Sequence, residues 1–278
     1  MSNGDSDKYS DYATREAVIE DVNRTLEVDW DAGIVKLETL RKLESEELKR
    51  DLYALAWQVG LAKDDIVRRQ DMTSYLVEAL ASDTSFLRGQ VLRFLQDFSK
   101  NDFDMPTLKI LKELTLDDEH ANLLIRLIGV VDLQARRPEL KQIAGVDWEE
   151  SDPTALHNSP QWSAALALAR MGDNSSMHRI IERVRSETDI VARATLLFGD
   201  LAYTRQQPAF DVLRSYLGST ERLPQVKESV KGELEARYAA TLFAKFTANC
   251  PVQGPDVEET DIPRIRDWAA MQRKWSLK

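Results

Sequence analysis

The stretch Trp162-Ser-Ala-Ala-Leu-Ala-Leu-Ala-Arg-Met-Gly-Asp-Asn-Ser-Ser-Met-His-Arg-Ile-Ile-Glu-Arg-Val184 reads as two short helices broken at Gly172-Asp173. Its first arm is nearly all alanine and leucine, and its second is studded with arginine. Small residues at Ala164, Ala165, Ala167 and Ala169 would let neighbouring helices approach closely, while Leu166 and Leu168 supply buried area. Such a hairpin cannot bury both flanks alone, so its stability must come from stacking on similar hairpins.

The hairpin recurs. Ile180-Ile181 with Val184 on the second arm has counterparts in Ile110-Leu111 with Leu114 and in Val212-Leu213 with Tyr216. First arms repeat as Ile128-Gly129, Met171-Gly172-Asp173 and Phe198-Gly199-Asp200. The period is irregular and falls in the range of helical-pair repeats. Earlier in the chain Val18, Val22 and Leu26, then Leu37, Leu40 and Leu43, then Leu48, Leu52, Leu55 and Val59, then Ile66, Leu76 and Leu80 keep helical spacing. None of these segments alternates as a strand would.

Boundaries are marked by proline and glycine. Pro106, Pro138, Pro160 and Pro208 each fall in a first helical turn, where a missing N–H costs nothing. Gly172 and Gly218 follow the last apolar residue of a helix, as left-handed caps do. With only 11 glycines and 9 prolines in 278 residues, the composition agrees with an all-α protein.

The segments Ala-Leu-Ala-Leu-Ala-Arg-Met-Gly-Asp, Leu-Leu-Phe-Gly-Asp-Leu-Ala and Leu-Ile-Gly-Val-Val-Asp-Leu resemble the HEAT-repeat family. That resemblance implies a right-handed α-solenoid of stacked antiparallel helix pairs, clearest over residues 85–247. It implies an activity hardly at all. The expected organisation is a flexible acidic tail over 1–12, the solenoid over 13–249, and a linker with a C-terminal capping helix over 250–278. A long helix is expected over 224–247. In the last segment Asp261 is placed to cap a helix with Pro263 in its first turn, and Ile265, Trp268, Ala269 and Trp275 share most of one face.

Chemistry is sparsely signalled. His120, His157 and His178 are scattered, and none belongs to a zinc spacing, so no metal is expected. The clusters Asp117-Asp-Glu119 and Asp147-Trp-Glu-Glu150 lack the spacing of a calcium loop. Phosphate-loop, dinucleotide and nucleophile-elbow motifs are absent, and no cofactor is expected. Cys250 reads as a packed thiol. Trp57 reads as core, whereas Trp30, Trp148 and Trp162 lie at or near connections, where each either staples a loop or serves as an exposed anchor.

These observations predict a non-enzymatic protein-binding scaffold or adaptor that uses a concave groove of second helices. Lys109, Lys112, Arg179, Arg183 and Arg214 on those helices, with Trp162, are the candidate partner-binding residues. Arg179 and Arg183 lie one turn apart and could grip an acidic peptide or phosphate, but Glu182 beside them suits a solvated face better. The partner is expected to be another protein or peptide. A net charge of −10 counts against nucleic acid. No apolar run approaches membrane length, and one cysteine without a leader reads as cytoplasmic. The alternative is a DNA-repair enzyme resembling the HEAT-like alkylpurine DNA glycosylases, which need a basic groove, aromatic side chains and a carboxylate. A third possibility resembles the HEAT-like bilin lyases.

Overall fold

The computed structural model describes residues 9–116, 119–145, 152–224, 232–254 and 256–278. It is all-helical, and among the described residues only two isolated bridges, Arg222 to Leu234 and Thr247 to Leu277, have any β character. The chain divides into two compact units, Met1–Ala135 and Arg136–Lys278. Among the described residues no helix is long and apolar enough to cross a membrane.

The first unit contains α1 (Tyr12–Val28), α2 (Trp30–Arg41), α3 (Glu46–Ala62), α4 (Ile66–Ser82), α5 (Ser85–Leu95), α6 (Met105–Glu113) and α7 (Ala121–Val130). Helices near in sequence pack together: α1 meets α2 and α3, α4 meets α3, α5 and α6, and α5 meets α7. Aspartate and serine start most of these helices, because their side-chain oxygens accept the orphan N–H groups of a first turn. Asp11, Asp29, Ser45, Asp65 and Asp104 all do so. The chain is anchored ahead of the expected end of the tail. Tyr9 is buried, and Arg15 Nη1 donates to the carbonyls of Tyr9 and Ser10.

The second unit contains α8 (Arg137–Ala144), α9 (Pro153–His157), α10 (Pro160–Arg170) and α11 (Asn174–Ser186). Next comes α12, which runs as Ile190–Ala192, a π-helical turn over Arg193–Leu197, and Phe198–Tyr203. α13 (Gln207–Tyr216), α14 (Glu235–Phe246) and α15 (Ile262–Met271) complete it. The opening stretch forms α10 and α11. Gly172 sits between them at φ 86°, a left-handed position that a side chain would strain. Trp162 to Ala169 are all buried, so the alanine arm is enclosed on every side. α8 is its principal neighbour, followed by α11 and α12.

Several expectations change. Gly218 is not left-handed, so it is no αL cap. Phe198-Gly199-Asp200 lies inside α12, which continues to Tyr203, whereas Met171-Gly172-Asp173 lies at the turn after α10. The helix expected over 224–247 is seen as Glu235–Phe246, and residues 225–231 lie outside the described set. Asp261 does not cap α15 with its side chain. It accepts from the Glu258 N–H and closes the preceding 3-10 turn instead.

The C-terminal segment packs on α13 and α14. Ile265 and Ala269 are fully buried and Trp275 nearly so. Phe243 meets Trp268 edge-on at 6.2 Å and Trp275 at 5.0 Å. The Trp275 indole donates to Asp211 Oδ1 at 3.1 Å, and Gln207 bonds both the N–H and the carbonyl of Trp275.

Within each unit, side-chain ties join elements far apart in sequence. Arg15 in α1 pairs with Asp51 in α3, and Trp30 in α2 donates to Asp71 in α4, at separations of 36 and 41 residues. Trp57 donates to Asp97, Arg137 to Asp173, Trp162 to Asp200 and Arg193 to Glu235, at separations of 40, 36, 38 and 42.

Candidate partner-binding site

The six residues proposed from sequence do not form one site. Lys109 and Lys112 are exposed on α6 in the first unit. The other four belong to the second unit, and each is already engaged. Arg179 donates to the Ala144 carbonyl at 3.1 Å. Arg214 reaches Asp211 and the Gln272 carbonyl and lies over the Trp275 ring. Arg183 pairs with Glu187 at 2.8 Å and its side chain is only 15% exposed, while Glu182 beside it stays 64% exposed. Trp162 is fully buried and cannot be a surface anchor.

Trp162 instead belongs to a buried polar cluster. Its indole N–H donates to Asp200 Oδ2 at 2.6 Å, and His157 Nδ1 lies 3.0 Å from the same oxygen. Asp200 is 1% exposed. A carboxylate taken from water needs such donors, and here they come from α9 and α10 to hold α12. The other tryptophans divide similarly. Trp30 donates to Asp71 under the guanidinium of Arg68. Trp57, expected in the core, is half-buried, stacks on Phe94 at 4.8 Å and donates to Asp97. Trp148 and most of the two acidic clusters fall outside the described residues.

A concavity lies in the second unit, where the π-turn of α12 faces α14. It is a cleft of ≈ 280 Å³ lined by Ala194, Thr195 and Gly199 on one side and by Glu233, Arg237, Tyr238, Thr241 and Leu242 on the other. A π-turn inserts one residue into a helix and rotates the turns beyond it, and such insertions are frequent at functional sites. Here an extensive anchor holds it. Arg193 donates Nε to the buried Glu235 carboxylate at 2.5 Å, Nη1 to the Glu187 carbonyl at 2.6 Å and Nη2 to Glu221 at 2.8 Å, with its guanidinium over Tyr216. Ser219 Oγ donates to the second Glu235 oxygen. Burial opposes the charge on Arg193, but the bonds and charges of Glu235 and Glu221 outweigh it and raise its pKa.

Gly199 is the second unusual feature of this wall. A glycine inside a helix costs about 0.5–1 kcal/mol relative to alanine. At Gly199 no atom lies within 4 Å of where a Cβ would stand, and its φ is not positive, so neither crowding nor conformation requires glycine there.

The polar lining mixes committed and uncommitted donors. Thr195 Oγ1 donates to the Val191 carbonyl and Thr241 Oγ1 to the Arg237 carbonyl. Burial first, and then the hydrogen bond to Glu233, hold the Tyr238 phenol above its ordinary pKa. Arg237 spends Nη1 on Glu233 and Nε on the Val257 carbonyl. The threonine hydroxyls and Glu233 therefore present mainly lone pairs to the cleft, while the remaining N–H groups of Arg237 are donors.

Residue types alone do not reveal this cleft. In the sequence Phe198-Gly199-Asp200 reads only as one of three recurring first-arm segments. A π-turn leaves no distinct periodic mark. Among the described residues no group of three or more His, Cys, Asp or Glu is placed to hold a metal ion, and Cys250 is a buried free thiol whose pKa burial raises. Compared with known proteins, the chain matches no family model, no curated protein and no solved structure.

Proposed function

We propose that this chain is a non-enzymatic protein-binding scaffold built as a right-handed α-solenoid of HEAT-like helix pairs, and that the π-turn cleft holds a segment of its partner. The cleft carries the reading: a π-turn and a helical glycine that neither crowding nor conformation requires lie on the same wall of one concavity. The repeat reading is supported by ties at separations of 36 to 42 residues, close to the length of one helical pair. A single cysteine agrees with a cytoplasmic setting. The DNA-repair alternative gains no support, because Trp162 and Asp200 are buried against each other instead of lining an open groove.

A photo-crosslinking amino acid at Thr195, in cells that make this protein naturally, tests the reading. The captured protein is identified, purified and titrated against the purified chain. Binding should weaken about tenfold or more, the equivalent of 1.4 kcal/mol, in Gly199→Leu and be unchanged in Lys109→Ala. Capture no better than from a crosslinker at Lys109, or binding indifferent to Gly199→Leu, would refute it.

A further inference from the structure

We infer that one edge of the second unit, where the turns after α10, α12 and α14 meet the C-terminal segment, binds a short acidic segment of a partner protein. This surface is separate from the cleft, and the inference does not rest on the cleft's role. The edge is built from four stretches, 170–172, 203–208, 245–253 and 268–277. They hold Arg170, Arg205, Lys245, Arg273 and Lys274, and no Asp or Glu. Contacts tie the stretches together. Arg170 donates to the Tyr203 carbonyl and lies over the Tyr203 ring, and Gln206 donates to the Arg170 carbonyl. The Arg205 guanidinium lies 3.4 Å from the centre of the Phe246 ring and the Lys245 ammonium 5.0 Å from it. Gln207 bonds the Trp275 backbone, and the Ala248 N–H donates to the Ser276 carbonyl.

Among the described residues Arg170, Lys245, Arg273 and Lys274 form no ion pair, whereas Arg183, Arg193 and Arg222 of the same unit each meet a carboxylate. Lys245, Arg273 and Lys274 are exposed. Burial pulls the Arg170 pKa down, opposed only by Tyr203. Asp173, Asp200, Asp211 and Asp267, which flank three of the stretches, take bonds from Arg137, Trp162 and Trp275 or pair with Arg266. Arg205 adds an independent sign. It sits at φ 53° with its N–H on the Ala202 carbonyl, as Gly172 sits at φ 86° with its N–H on the Ala169 carbonyl in the preceding turn. Glycine takes that conformation without strain and arginine does not, so a backbone advantage is given up for a cationic side chain on this edge. Arg170, Arg205 and Lys245 follow the stack, one per turn. Stacked helices stand about 8–10 Å apart, which an extended chain covers in about three residues at about 3.3–3.6 Å each. About six residues of extended peptide therefore reach from Arg170 to Lys245. The chain's net charge of −10 repels a long polyanion, whereas a short segment feels mainly the charges within about 8–10 Å.

The test uses the full chain and a fluorescein-labelled hexaglutamate amide, followed by fluorescence anisotropy, with hexaglutamine as the neutral control. Hexaglutamate should bind saturably and weaken about tenfold or more between about 0.05 and 0.5 M salt, and hexaglutamine should not bind. Arg273→Glu combined with Lys274→Glu should weaken binding about tenfold or more at an unchanged thermal midpoint. Lys245→Glu, on a different element, should weaken it as well, so that a defect of the C-terminal segment does not account for the loss. Lys109→Glu combined with Lys112→Glu makes an equal change of charge on exposed residues of the first unit, and should leave binding unchanged. Equal loss in the two double variants, no saturable binding of hexaglutamate, or tighter binding of single-stranded hexathymidylate or of phosphatidylserine vesicles would overturn the inference. Gly199→Leu should leave hexaglutamate binding as it is, so the cleft and this edge stand or fail separately.

Discussion

Asp200 is the residue on which three elements of the second unit depend. It is buried, and its Oδ2 takes a hydrogen bond from the Trp162 indole while lying within bonding distance of His157. Removing the carboxylate strands a buried indole N–H, which costs about 1–3 kcal/mol in addition to the lost bonds. Asp200→Ala should therefore lower stability by at least about 2 kcal/mol in urea unfolding. Trp162→Phe should also destabilise, because it takes a donor from the buried Asp200 carboxylate and leaves a cavity at a fully buried site. Equal midpoints for Asp200→Ala and the unmodified chain would show that the cluster carries no stability. None of this is legible from residue types. Trp162 and Asp200 are 38 positions apart, and only the fold tells a buried tryptophan from an exposed one. The same limit hides the cleft, whose two walls come from α12 and α14.

At the scale of elements, helix starts are the most legible feature, because the capping atom is local. Ser159 and Asp104 cap as expected from Pro160 and Pro106, and Gly172 takes its left-handed turn. Errors arise where a helix closes without a left-handed residue, as at Gly218, where the Leu217 and Ser219 N–H groups bond the Arg214 and Tyr216 carbonyls, and where a glycine lies inside a helix, as at Gly199. The alanine arm gives the sharpest test. Ala167 is fully buried, and Ala167→Leu should cost about 1–3 kcal/mol through overpacking around α10, read as a lowered urea midpoint. Deleting 262–278 tests the last element. It uncovers Phe243 and leaves Asp211 and Gln207 without Trp275, so the thermal midpoint and the solubility should both fall. An unchanged midpoint would make α15 a detachable tail.

For the molecule as a whole, the excess of acid is partly a consequence of how its helices begin. Asp11 is held below the usual carboxylate range by bonds from the Thr14 N–H and hydroxyl. At Asp173 burial opposes ionisation, but bonds from the Ser176 N–H and hydroxyl and from Arg137 prevail and lower the pKa. A folded pKa below the unfolded value of about 3.9 gives stability that is complete above that value and lost as pH falls through the folded one. Thermal midpoints should thus drop steeply below about pH 4, and less steeply in Asp173→Asn; parallel curves would remove Asp173 from the account. The ties have a direction as well. In Arg15 to Asp51, Trp30 to Asp71, Trp57 to Asp97, Arg137 to Asp173, Trp162 to Asp200 and Arg193 to Glu235 the donor precedes its acceptor. Trp275 to Asp211 runs the other way, as the C-terminal segment turns back. On a ribosome adding about 5–20 residues per second, each early donor waits roughly 2–8 seconds for its acceptor to emerge. The half that waits is a guanidinium or an indole, and the half that arrives is the carboxylate. Each tie is thus completed only as the later helix is synthesised, so assembly within a unit has a built-in order set by translation.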